Sequence, residues 1–153
     1  MKTIKTLALS VGMTLGLALA PLAHAHDDAY LDTVTAPHGG QLRMAGSSHY
    51  ELVIVKDSKG AKDNAIAVYV TDHAGTKIPT AGASGSVPLL SGKTKVSAAL
   101  TPSGDNKLSA HAVYASTPDL KAVVKIKLAG QDEQQARFTP LASRAADHDT
   151  QGH

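Results

Sequence analysis

Through the middle of the chain, apolar and polar side chains alternate one for one, the period of an extended strand with one face on a core and the other on water. The alternation is sharpest in residues 121–128, where Ala122, Val124, Ile126 and Leu128 interleave with Lys121, Val123, Lys125 and Lys127. Residues 49–56 carry Tyr50, Leu52 and Ile54 on one face, and residues 65–71 carry Ile66, Val68 and Val70. Val96, Ala98 and Leu100 in residues 93–100, and Leu108, Ala110, Ala112 and Tyr114 in residues 107–114, repeat the pattern. No helix can hold side chains at this spacing on one face. Shorter strands are predicted over residues 41–44, 87–90 and 135–139. Turn residues separate the strands, as in Asp57-Ser58-Lys59-Gly60, Ala74-Gly75, Ser91-Gly92, Ser103-Gly104-Asp105-Asn106 and Thr117-Pro118-Asp119.

Seven or eight short strands with turn signals between them predict an all-β domain over residues 37–140. The expected form is a small antiparallel β-sandwich of immunoglobulin-like kind, with a small β-barrel as the alternative. Many core-facing positions are alanine, so the core is expected to be thin. Residues 26–36 and 141–153 are polar and show no period, and both are expected to be flexible.

The N-terminus is of another kind. Lys2 and Lys5 precede an apolar stretch over residues 6–20, Pro21 ends it, and Ala23-His24-Ala25 follows. This is the build of a secretory signal peptide over residues 1–25, which places the mature N-terminus at His26 and the protein in the periplasm. The apolar stretch is shorter than the roughly 20 residues that cross a bilayer, so no membrane span is expected after cleavage. The remaining 128 residues (153 minus 25) suit one domain, with 13 acidic residues against 13 basic ones (15 minus Lys2 and Lys5). A neutral chain with one Phe and no Trp lacks the basic, aromatic surface that nucleic acid requires. With no Cys there is no disulfide and no thiolate.

Catalytic signals are missing. No serine stands in a G-x-S-x-G elbow and no glycine-rich loop cradles phosphate, so a non-enzyme is expected, without catalytic residues. The histidines stand out instead: His26, His38, His49, His73, His111, His148 and His153 remain after processing. His49 and Glu51 are two apart on one strand and leave the same face, opposite Tyr50, Leu52 and Ile54. His111 lies on the outward parity of its strand, His73 at a strand end, and His38 in a turn before the first strand. His26 would offer its amine and imidazole together. Imidazole and carboxylate without thiolate suit Cu(II) or Zn(II), and the candidate ligands are therefore His38, His49, Glu51, His73, His111 and His26, with His49 and Glu51 as the leading pair. Met44, the single methionine left after processing, argues against a Cu(I) carrier built on several thioethers.

The runs Ala36-Pro37-His38-Gly39-Gly40-Gln41-Leu42, His49-Tyr50-Glu51-Leu52-Val53 and Ile66-Ala67-Val68-Tyr69-Val70-Thr71-Asp72-His73 resemble those of small exported bacterial β-sandwich proteins. Thr80-Ala81-Gly82-Ala83 and residues 100–108 extend the likeness. The pattern is also similar to the N-terminal extension of periplasmic adaptor subunits of heavy-metal efflux pumps. That resemblance covers most of residues 37–139 and draws attention to His38, His49, Glu51 and His73; the chain carries no adaptor hairpin or barrel domain. Together these readings predict a periplasmic protein that binds a transition-metal ion and buffers or delivers it, with an efflux component as the implied partner. The alternative is a non-catalytic cell-envelope interaction or structural module whose histidines are incidental.

Overall fold

The computed structural model describes residues 28–143. The expected signal peptide and cleavage site, His26 and the tail from residue 144 lie outside the described residues. Eight strands make up the body: β1 Gln41–Ala45, β2 Ser48–Ile54, β3 Lys62–Thr71, β4 Ser84–Ser91, β5 Thr94–Pro102, β6 Lys107–Tyr114, β7 Lys121–Lys127 and β8 Gln134–Phe138. Each overlaps a strand predicted from the sequence, and all pair antiparallel.

The strands run in the order β1-β2-β3-β6-β5-β4-β7-β8. β4, β5 and β6 form a meander and β7 crosses back beside β4, which makes a Greek key. β5 joins the two halves, because Leu100 and the residues before it pair with β4 while Thr101 and Pro102 pair with Ser109 and Leu108 of β6. The all-β expectation therefore holds in its barrel form: one continuous sheet curls until its ends meet. At that seam the Thr139 N–H donates to Gln41 Oε1 at 2.9 Å, and Gly46, just past β1, lies against the Gln134 side chain at the start of β8.

The inward faces are those the alternation marked. Tyr50, Leu52, Ile66, Val68, Val70, Leu108, Val124, Ile126 and Phe138 are buried in one cluster. Small residues such as Ala110, Ala112, Ala122 and Ala136 share it, which leaves room inside the barrel for Tyr50, Tyr114 and Phe138. Tyr114 keeps its hydroxyl satisfied by accepting from the Val55 N–H (3.1 Å) and donating to the Ala65 carbonyl (2.9 Å). That one phenol ties β6 to the end of β2 and to β3.

The polar segment ahead of β1, expected to be flexible, carries the six-residue helix α1, Asp28–Thr33, in its described part. Leu31 is buried. Arg43, on the inward parity of β1 and only 7 % exposed, requires an anion, since an uncompensated buried cation is strongly destabilising. Asp32 supplies it through both carboxylate oxygens, at 2.8 Å to Nη1 and 3.2 Å to Nη2. Among the described residues, no helix is long and apolar enough to cross a membrane.

Candidate metal centre

The described candidate ligands lie on the outward faces of β2 and β6 and in the loops before β1 and after β3. Before β1 the chain turns, with the Gly39 N–H on the Ala36 carbonyl at 3.1 Å, and this turn folds over the outer face of β2. Glu51 Oε1 accepts the N–H groups of His38 (2.8 Å) and Gly40 (3.0 Å), and Oε2 lies 2.8 Å from His38 Nδ1. The approach is close enough that a Cβ at Gly40 would collide with the Leu52 carbonyl and the Glu51 side chain. Glu51 is thus 3 % exposed despite its outward parity, because the turn covers it.

Strand register places Tyr69 opposite Glu51 and Lys107 opposite Tyr69. The His38 ring stacks on Tyr69 with centroids 3.5 Å apart and planes 1° from parallel, while the Lys107 ammonium sits 5.8 Å from the Tyr69 centroid. A neutral His38 that donates to Glu51 through Nδ1 has its lone pair on Nε2. Carboxylates orient metal-binding histidines in this way.

Two residues along β2 from Glu51, on the same face, His49 faces Met44 of β1 and Thr71 of β3. His73 follows in a tight turn built by Asp72, whose Oδ1 accepts the N–H groups of Ala74 and Thr76, each at 2.8 Å. Those bonds, that from the Thr76 backbone foremost, hold the Asp72 carboxyl below the ordinary range. The turn delivers His73 Nδ1 to 3.2 Å from His49 Nε2, with the rings edge to face and centroids 4.8 Å apart.

His111 forms a third pair. Its Nδ1 lies 3.5 Å from Asp63 Oδ2, and the two side chains are 65 % and 67 % exposed. Ala65 of β3 faces His111, four residues along that strand from Tyr69, so this pair stands well apart from the other two.

The candidates therefore resolve into His38 with Glu51, His49 with His73, and His111 with Asp63. Among the described residues, no three His, Cys, Asp or Glu side chains form a group that could hold a metal ion. His49 and Glu51 share a face as expected but not a task, since the Glu51 oxygens are taken up by the turn. The His49–His73 contact is a hydrogen bond in which one ring nitrogen donates and the other accepts, and a metal ion that takes the place of the shared proton would be held by both. Two nitrogens at about 2.0–2.1 Å from one tetrahedral ion stand roughly 3.3 Å apart, close to the spacing found.

Tyr69 and Met44 are neighbours that the sequence did not place beside the candidate ligands. Tyr69 was signalled by an aromatic ring on the outward parity of its strand; the place of Met44 depends on register, which no local pattern reveals. A groove of about 720 Å³ lies elsewhere, lined by Arg43, Leu89, Lys95, Lys121, Arg137 and Phe138 among others, and contains no histidine. In comparisons with protein-family models, curated proteins and solved structures, nothing matches the chain.

Proposed function

We propose that this protein is a non-catalytic, periplasmic metal-binding protein that takes up Cu(II) or Zn(II) on the outer face of β2 and β3 and buffers or delivers it. The observation that carries this reading is the 3.2 Å approach of His49 Nε2 and His73 Nδ1, two nitrogen donors near the spacing of ligands on one ion. His38, held through Nδ1 by Glu51, adds an imidazole beside this face. The export signal supplies the compartment, and the likeness to efflux-pump adaptors suggests a pump component as the recipient.

Calorimetric titration of the mature, metal-free protein with Zn(II) and Cu(II) tests this, beside His49→Ala, His73→Ala and a variant ending at residue 143. Binding that survives truncation, is lost in either histidine variant, and weakens as pH falls through the imidazole range supports it, because protonated histidine does not ligate. Binding lost on truncation and untouched by both substitutions refutes it. A second reading, an envelope interaction module, draws on the groove at β4, β5, β7 and β8, where Lys95, Lys121, Lys125 and Arg137 flank the exposed Leu90. A mixed cationic and apolar surface of this kind suits an acidic protein partner, and it would stand if the histidine variants leave all metal binding unchanged.

A further inference from the structure

We infer that Met44 is a third ligand of the His49–His73 centre and makes it a site for Cu(I) as well as for divalent ions. This rests on the reading of His49 and His73 given above and adds the donor that decides which ions the centre prefers.

The placement follows from one turn. β1 and β2 are joined by Gly46 and Ser47 between the paired residues Ala45 and Ser48, and Gly46 has φ +60°. A two-residue hairpin with glycine at a positive φ in its first position is of type II′, and such a turn fixes the register of the strands it joins. Met44 is thereby set directly opposite His49. Opposed residues on neighbouring antiparallel strands leave the same face with Cβ atoms about 4.5–5.5 Å apart. On its other side His49 faces Thr71, two residues before His73. Met44, His49 and His73 thus form a row across one end of the outer face, with His49 in the middle.

A methionine side chain has three rotatable bonds and a polarisable sulfur, so from that position it can reach an ion held at the tip of His49. Thioether sulfur is a soft donor that selects Cu(I), whereas imidazole serves Cu and Zn alike. Counting methionines argued against a Cu(I) carrier because one thioether is not a thioether site. One thioether registered against two imidazoles is a different ligand set, and it asks nothing of a second methionine or of cysteine, which the chain lacks.

The test compares the wild-type mature protein with Met44→Leu, His49→Ala and Met44→Leu/His49→Ala. Cu(I) affinity is read anaerobically by competition with a chromogenic Cu(I) chelator, Zn(II) affinity by calorimetry, and the copper environment by X-ray absorption. Leucine closely matches methionine in volume, so packing is kept. Met44→Leu should lower Cu(I) affinity by about tenfold or more while leaving Zn(II) within about threefold. It should also remove a Cu–S scattering path that the wild type shows. Cu(I) affinity unchanged in Met44→Leu, or no Cu–S path in the wild type, overturns the assignment of Met44 and leaves the histidine pair standing. Cu(I) and Zn(II) affinities both unchanged in His49→Ala overturn the metal centre itself, and the Met44 assignment with it.

Discussion

Replacing Glu51 by alanine should be among the most damaging single changes in this protein. The carboxylate is 3 % exposed and receives two backbone N–H groups and one imidazole nitrogen, all within 3.0 Å. Hydrogen bonds to a charged group contribute about 1.5–3 kcal/mol each, and a buried donor left without a partner costs about 1–3 kcal/mol. The His38 ring is 41 % exposed, so water replaces its contact cheaply, and most of the effect lies in the amides of His38 and Gly40. These sum to a loss of about 3–5 kcal/mol for Glu51→Ala. His38→Ala keeps both amides on the carboxylate and should cost about 1 kcal/mol. Urea unfolding at pH 7 measures both, with the midpoint falling and the slope unchanged if only stability is altered. A loss below about 1 kcal/mol in Glu51→Ala, or an equal loss in His38→Ala, would refute the view that the carboxylate anchors the turn through its backbone.

The tyrosines give an alkaline signature. Burial, reinforced by the charge of Glu133, pushes Tyr50 up to about 12, and burial raises Tyr114 as well, against the opposing effect of the Val55 N–H. A phenol whose folded value lies above its unfolded value supports the fold below pH about 10 and withdraws that support as pH climbs toward about 12. Tyrosinate absorbance should show Tyr50 and Tyr114 ionising late and together with unfolding; ordinary titration of both in a folded protein would contradict the burial argument. Gly46→Ala should cost about 1–2 kcal/mol, since alanine resists the positive φ and its Cβ would crowd the Gln134 side chain; an unchanged melting temperature would mean that the turn had adjusted. His111→Ala should change stability by less than about 0.5 kcal/mol, because its ion pair with Asp63 is exposed, and a larger loss would show that the pair is coupled to the core.

The strands were legible because period two is a local property: a strand with one wet face must alternate, and every segment that alternated pairs in the barrel. Their order was not, since nothing within residues 62–71 announces that β3 will lie beside β6 rather than β4. Glu51 divides the same way. Its parity could be read from Tyr50 and Leu52, but its burial comes from residues 36–40 folding over it. Leu31 stood among scattered apolar residues with no period to betray α1, and its place became clear only in the fold, beside the Asp32–Arg43 contact. The histidines could be counted and assigned to faces, yet their sorting into pairs depends on cross-strand register and on the turn that Asp72 builds.

The seam between β1 and β8 bears on how two molecules meet. It is closed by side-chain contacts, Gln41 with the Thr139 amide and Gln134 against Gly46, so parting it breaks few bonds and leaves the other strand pairings intact. Parting it bares two edges that run antiparallel to each other, at the cost of wetting core side chains such as Tyr50 and Phe138. A second parted copy offers the complementary pair, and reciprocal closure of β1 on the β8 of a neighbour is the route to strand-exchanged dimers that this topology leaves open. The two glutamines at the seam thus guard two sheet edges as well as closing one barrel.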